Sequence, residues 1–187
     1  MRRLWLFAGL LALGAGCSRA PASDDCPPDA SAKVVDATLL AFLSRARAAH
    51  HAADRAEQAS NVSRARQLLK ELVLGPLPHE KTPPVEVREV LADTRARLAD
   101  LASRESDFAG ADAELRAGLE LVPENSYFRG HLFEVSGLVD ERRAKELGAR
   151  GDVEGAKAAN QRALEALEQA MSIQAEVIRN ATDPKAR

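Results

Sequence analysis

The sequence predicts an all-α protein built from stacked antiparallel helical hairpins. Ala, Leu, Arg and Glu dominate the chain and runs of β-branched residues are absent, which is the composition of a helix former. Apolar residues recur at three- and four-residue spacing through most of the 187 residues, the period of one helical face. Three short breaks, Asn61-Val62, Asp107-Phe108 and Asp152-Val153, each lead to an alanine at the same offset, Ala65, Ala111 and Ala156, at intervals of 46 and 45 residues. Self-similarity at a fixed period marks supersecondary units that bury their apolar stripes by stacking on one another. An antiparallel helical bundle with helices of similar length is the alternative.

The first helix is expected from Asp29 to Ala59, with Val35, Leu39, Phe42, Leu43, Ala46, Ala49 and Ala53 on one face. Ser60-Asn61 supplies a break and a cap for the second, which carries Val62, Ala65, Leu68, Leu69, Leu72 and Val73 and stops at Gly75-Pro76-Leu77-Pro78. Pro83-Pro84 opens the third, with Val87, Val90, Leu91, Thr94, Leu98 and Leu101, and Ser106-Asp107 breaks it. The fourth holds Phe108, Ala111, Leu115, Leu119 and Val122 ahead of Pro123, and Asn125 is positioned to cap the fifth. The fifth shows Phe128, Leu132, Val135, Leu138, Val139 and Leu147, and Gly148 and Gly151 bracket its end. Asp152 is the expected cap of the sixth, whose apolar residues are Val153, Ala156, Ala163, Leu167, Ala170, Met171, Val177 and Ile178. The hairpin domain is thus expected over residues 31–181, with a frayed tail at 182–187.

The middle hairpin resembles a tetratricopeptide repeat. Ala111, Leu115, Gly118, Leu119 and Pro123 follow the second-helix signature of that family, and Leu98-Ala99 stands where its Leu-Gly pair falls. Arg95 and Ala102 depart from its Trp-like and Tyr-like positions, and the period exceeds the usual repeat of about 34 residues. The resemblance implies a tetratricopeptide-like α-solenoid with long helices, and a role in binding other proteins.

The N-terminus carries a different signal. Met1-Arg2-Arg3, an apolar run from Leu4 to Ala15 and small residues before Cys17 have the order of a secretory signal. That run is too short to cross a bilayer, which takes about 20 apolar residues. Leu13-Gly14-Ala15-Gly16-Cys17 resembles the lipobox of bacterial lipoproteins, with Gly14 where the pattern usually has Leu. The resemblance implies a signal peptide over residues 1–16 and a covalent lipid on Cys17, diacylglycerol through a thioether and palmitate-like acyl through an amide. Ser18 after the cysteine implies an outer-membrane anchor, with the domain facing the periplasm. An ordinary secretory signal cut near Ala20 or Ala22 is the alternative, and it would remove Cys17. Residues 17–30, rich in Pro, Ser, Asp and Ala, read as a tether. Once Cys17 is lipidated, Cys26 is the one remaining thiol, free or paired with another chain.

Few residues point to chemistry. A formal net charge of -2, without a basic face or stacking aromatics, gives no reason to expect a nucleic-acid partner. His50 and Asp54 lie one helical turn apart beside His51, yet no third ligand stands at a useful spacing, and His79 near Glu80 has no HExxH pattern. There is no GxSxG, Walker or GxGxxG motif and no CxxC. The expectation is therefore a protein with no catalytic residue, metal or dissociable cofactor. Tyr127, Phe128 and Phe133 are the one aromatic cluster, either core or anchors for a protein partner. Three functions follow: a membrane-anchored interaction scaffold or accessory subunit of an envelope assembly; a self-associating structural lipoprotein; or a metal-binding envelope protein or enzyme using His50, His51 and Asp54.

Overall fold

The computed structural model describes residues 36–182, and there the chain forms six α-helices and no strand. They are α1 (Ala37–Gln58), α2 (Val62–Val73), α3 (Val85–Arg104), α4 (Phe108–Leu121), α5 (Tyr127–Ala149) and α6 (Val153–Thr182). The signal-like segment, Cys17, Cys26, the tether and residues 183–187 lie outside the described residues.

Two predicted helix starts are corrected. The first helix does not run through from Asp29: Asp36 has extended backbone, and its Oδ1 accepts from the amides of Thr38 at 2.8 Å and Leu39 at 3.2 Å, so α1 begins at Ala37. Asn125 does not cap α5. Ser126 does, its hydroxyl accepting from the Arg129 amide at 3.2 Å, while the Asn125 side chain reaches α6 and donates to Glu176.

The three breaks that suggested a repeat share one geometry. Ser60, Ser106 and Gly151 have φ of 58°, 61° and 82°, the left-handed conformation that terminates helices. The next amide folds back onto the preceding helix in each case: Asn61 onto Ala56 O at 2.8 Å, Asp107 onto Ala102 O and Asp152 onto Leu147 O at 3.0 Å. The same three residues then cap the following helix, their side-chain oxygens accepting from the amides of Arg64, Gly110 and Gly155. One residue type, Asn or Asp, thereby ends one helix and starts the next.

These turns set the packing. α1 pairs with α2, α3 with α4 and α5 with α6; α3 also lies against α1 and α2, and α5 against α3 and α4. Each hairpin therefore packs on its neighbours in sequence. One apolar cluster joins α1, α2 and α3 through Phe42, Leu72, Val87 and Leu91, and a second joins them through Ala53, Ala65, Leu69, Leu98 and Leu101. A third, containing Ala96, Ala99, Ala111, Leu115, Leu132 and Val135, joins α3, α4 and α5.

The last hairpin is built differently. α6 buries Ala159, Ala163, Ala170 and Ile173, and α5 meets it with glycines. A Cβ placed on Gly137 would stand 2.7 Å from Leu167 Cγ and 3.1 Å from the Ala163 carbonyl, and one on Gly130 would stand 3.1 Å from Gln174 Cγ. At Gly137 a Cβ would press on a backbone carbonyl as well as on Leu167, whereas at Gly130 the Gln174 side chain would have to give way. Three residues read from sequence as part of the α6 apolar face are instead exposed, Val153 at 70%, Met171 at 69% and Ile178 at 63%. Alanines take most of the inward face, together with Ile173 and with Leu167, which packs on Gly137.

Candidate functional site

Where one hairpin meets the next, an arginine on the later odd-numbered helix clasps the earlier one. Arg97 of α3 donates to Asp54 Oδ1 and Glu57 Oε1 of α1, both at 2.5 Å. Arg142 of α5 repeats this against α3, reaching Asp100 Oδ1 at 2.7 Å and the Ser103 hydroxyl at 2.7 Å. The residues correspond by the repeat interval, Asp54 with Asp100, Glu57 with Ser103 and Arg97 with Arg142. Arg104 adds a bond to Glu57 Oε2 at 2.6 Å. Burial pushes the Glu57 carboxyl up, but the bonds from Arg97 and Arg104 outweigh it and hold the group below its usual range. On the other flank, Arg66 of α2 bridges Glu105 and Asp107 at 2.6 Å each, and its hydrogen bond together with the Gly110 amide keeps Asp107 well ionised.

His50 belongs to the first of these joints. Thr94 is fully buried and donates its hydroxyl to Val90 O at 2.7 Å, so its oxygen is left to accept from His50 Nε2 at 2.9 Å. His50 Nδ1 then faces Arg97 Nη1 at 3.4 Å. Burial foremost, and the nearby guanidinium, push the imidazole below its ordinary value, against the opposing pull of Asp93 and Asp54. Both His50 and Asp54 thus have Arg97 as a partner. Among the described residues no three His, Cys, Asp or Glu side chains converge as a metal site would require. His79 lies apart from them, bonded to the Asp36 carboxylate at 2.8 Å.

The aromatic residues divide into two places. Tyr127, at the first position of α5, is 57% exposed; its ring meets Phe128 edge-on at 5.3 Å and stacks parallel on His131 at 6.1 Å. Phe128 is half-buried against the cluster shared by α3, α4 and α5. Phe133 stands away from this pair, half-buried with the Arg129 guanidinium 5.3 Å over its ring. His131 lies 3.2 Å from Glu134 and 3.9 Å from Asp93, so the surface beside Tyr127 carries carboxylates.

No family model, curated protein or solved structure matches this chain. No helix among the described residues is long and apolar enough to cross a membrane. The arginine clasps and His131 were missed from sequence. The clasps had a signal in the repeat itself, because an acid and an arginine each recur at the hairpin interval. His131 had one too, lying one helical turn after Tyr127 on the same face.

Proposed function

We propose that this chain is a lipid-anchored scaffold that binds another protein at the envelope, held through Cys17 to the outer membrane and facing the periplasm. The observation that carries this reading is the packing order: hairpins that pack chiefly on their sequence neighbours leave helix flanks open along the array. Surfaces of that kind are used by helical-repeat proteins to hold partners, and the likeness of the middle hairpin to a tetratricopeptide repeat supports the same role. The lipobox-like residues before Cys17 add confinement. A protein fixed to one membrane meets a partner arriving there at raised effective concentration.

Tyr127 is the side chain best placed to anchor such a partner. Its ring is exposed while Phe128 behind it is held by the core, and an aromatic side chain on a rigid base is the usual form of an energetic hot spot. The carboxylates of Asp93 and Glu134 beside it favour a partner segment carrying Lys or Arg.

Crosslinking in intact cells, followed by recovery from the outer-membrane fraction, tests the scaffold. One stoichiometric partner is expected, and Tyr127→Ala should reduce its recovery without changing thermal stability. Recovery of only its own copies would replace the scaffold by a self-associating lipoprotein. Incorporation of labelled palmitate that is lost in Cys17→Ser tests the anchor separately.

A further inference from the structure

The net charge of the whole chain hides an uneven distribution. Counting Lys, Arg, Asp and Glu, residues 36–78 carry six basic and four acidic side chains, whereas residues 79–182 carry fourteen basic and twenty acidic. The first hairpin is therefore the positive end of an otherwise negative array. On α1, Leu40, Ser44, Arg47, His51 and Arg55 are all exposed, and their steps of 4, 3, 4 and 4 residues keep them on one face of the helix. Neither Arg47 nor Arg55 makes an ion pair among the described residues. The acids of α1, Asp54 and Glu57, are both bonded to Arg97, and Asp36 at its start is bonded to His79. Elsewhere the two signs are mixed: Arg64 of α2 has Glu71 at 3.9 Å, and α6 exposes Glu154, Lys157, Glu165, Glu168 and Arg179.

The place of this strip in the chain identifies what it faces. Only the 18 residues 18–35 separate Cys17 from Asp36, a reach of about 60 Å when fully extended. With Cys17 lipidated, the positive end of the array is the end leashed to the membrane. A weak attraction suffices there, because the leash holds the strip at a high effective concentration over the surface. An anionic phospholipid surface favours each nearby Arg about fivefold, and the attraction falls off within about 10 Å, so it acts on the nearest helix first. We infer that the outer strip of α1 rests on anionic phospholipid headgroups, with Arg47 and Arg55 at the phosphates. Leu40, 51% exposed at the start of the strip, supplies an apolar side chain for the headgroup boundary. The inference rests on the lipid anchor of the proposed function, and it leaves Tyr127 on α5 free for a partner.

Fluorescence of the lipidated protein tests the inference, in vesicles of phosphatidylcholine alone or mixed with phosphatidylglycerol and carrying a headgroup quencher. The one Trp of the chain, Trp5, leaves with the expected signal peptide, so Ser44→Trp puts a single reporter on the strip and Ser172→Trp puts one on α6. Ser44→Trp should be quenched more strongly when phosphatidylglycerol is present and lose that excess at high salt, while Ser172→Trp should not respond. Adding Arg47→Glu and Arg55→Glu should lower the ratio of docked to free protein by at least about twentyfold, with melting temperature unchanged. A chain that takes up no palmitate overturns the anchor, and this inference with it. A palmitoylated chain quenched equally in both vesicles overturns the inference alone, and so does an excess that survives the two Arg substitutions or appears at Ser172→Trp instead. Loss of partner recovery from cells in the Arg47→Glu, Arg55→Glu protein, with vesicle quenching unchanged, would give the strip to an acidic protein and overturn the membrane contact.

Discussion

The first and last hairpins bury their helices by different means. Between α1 and α2 the large side chains Phe42, Leu69 and Leu72 pack among Ala46, Ala53 and Ala65 and also reach α3. Between α5 and α6 glycines of α5 meet alanines of α6, with Leu167 and Ile173 also turned inward, while Leu164, Met171 and Ile178 remain outside. Large residues at a crossing fill the space between helices and share a core with the next hairpin. Glycine brings two helices close together, as Gly137 does against Leu167 and the Ala163 carbonyl.

Truncation gives the largest contrast. Leu69→Ala, at a fully buried position, should cost about 2–5 kcal/mol in urea unfolding. Met171→Ala, on the outer face of α6, should fall within about 0.5 kcal/mol. Enlargement reverses the ranking. Gly137→Ala should cost about 1–3 kcal/mol, because the backbone carbonyl of Ala163 bounds the space as well as Leu167. Gly118→Ala should cost less, since the closest atom to its added Cβ is the flexible Leu132 Cδ2.

The sequence made one end of this comparison easier to read than the other. Asn61, Asp107 and Asp152 are legible because capping is local: a side-chain oxygen reaches an amide three residues on, and nothing distant alters it. Asp36 was passed over because Val34 and Val35 precede it, and hydrophobicity there hid a cap. Ser126 and Asn125 are both good caps, and only the fold decides between neighbours. In α6 the helix carries two stripes, one of alanines and one of larger apolar residues. Periodicity gives the angle of each stripe but cannot say which faces α5; the glycines of α5 decide that. Within the aromatic cluster Tyr127 and Phe128 meet edge-on, while Phe133 packs under the Arg129 guanidinium. The Arg97 and Arg142 clasps reach across 39 to 43 residues, and in a chain rich in arginine and acid no local feature marks which pairs will meet.

The clasps give a smaller contrast. Arg97 serves two carboxylates and Arg142 one carboxylate and a hydroxyl. Arg97→Ala should lower stability by about 1–2 kcal/mol and Arg142→Ala by less, measured side by side in urea. Equal losses would mean that the second carboxylate at Arg97 adds nothing to the joint.

The smallest expected effect is a dependence on pH. The folded chain holds His50 below its ordinary value, so between those values the unfolded chain binds more protons and stability falls as pH falls. The contribution is fully present above the ordinary imidazole value of about 6.5 and is lost below it. His50→Gln keeps a donor for Thr94 and removes the titration, so its melting temperature should change less between about pH 7 and pH 5.5. Parallel slopes for the two proteins would remove His50 from the account.

The sequential array is the claim from which the rest follows, and hydrogen exchange on the Leu69→Ala protein tests it most directly. Amides of α1 and α2 should lose most of their protection while those of α5 and α6 keep theirs, because disruption in a linear array stays near its origin. Uniform loss of protection through all six helices would instead describe a single cooperative bundle and would contradict the array.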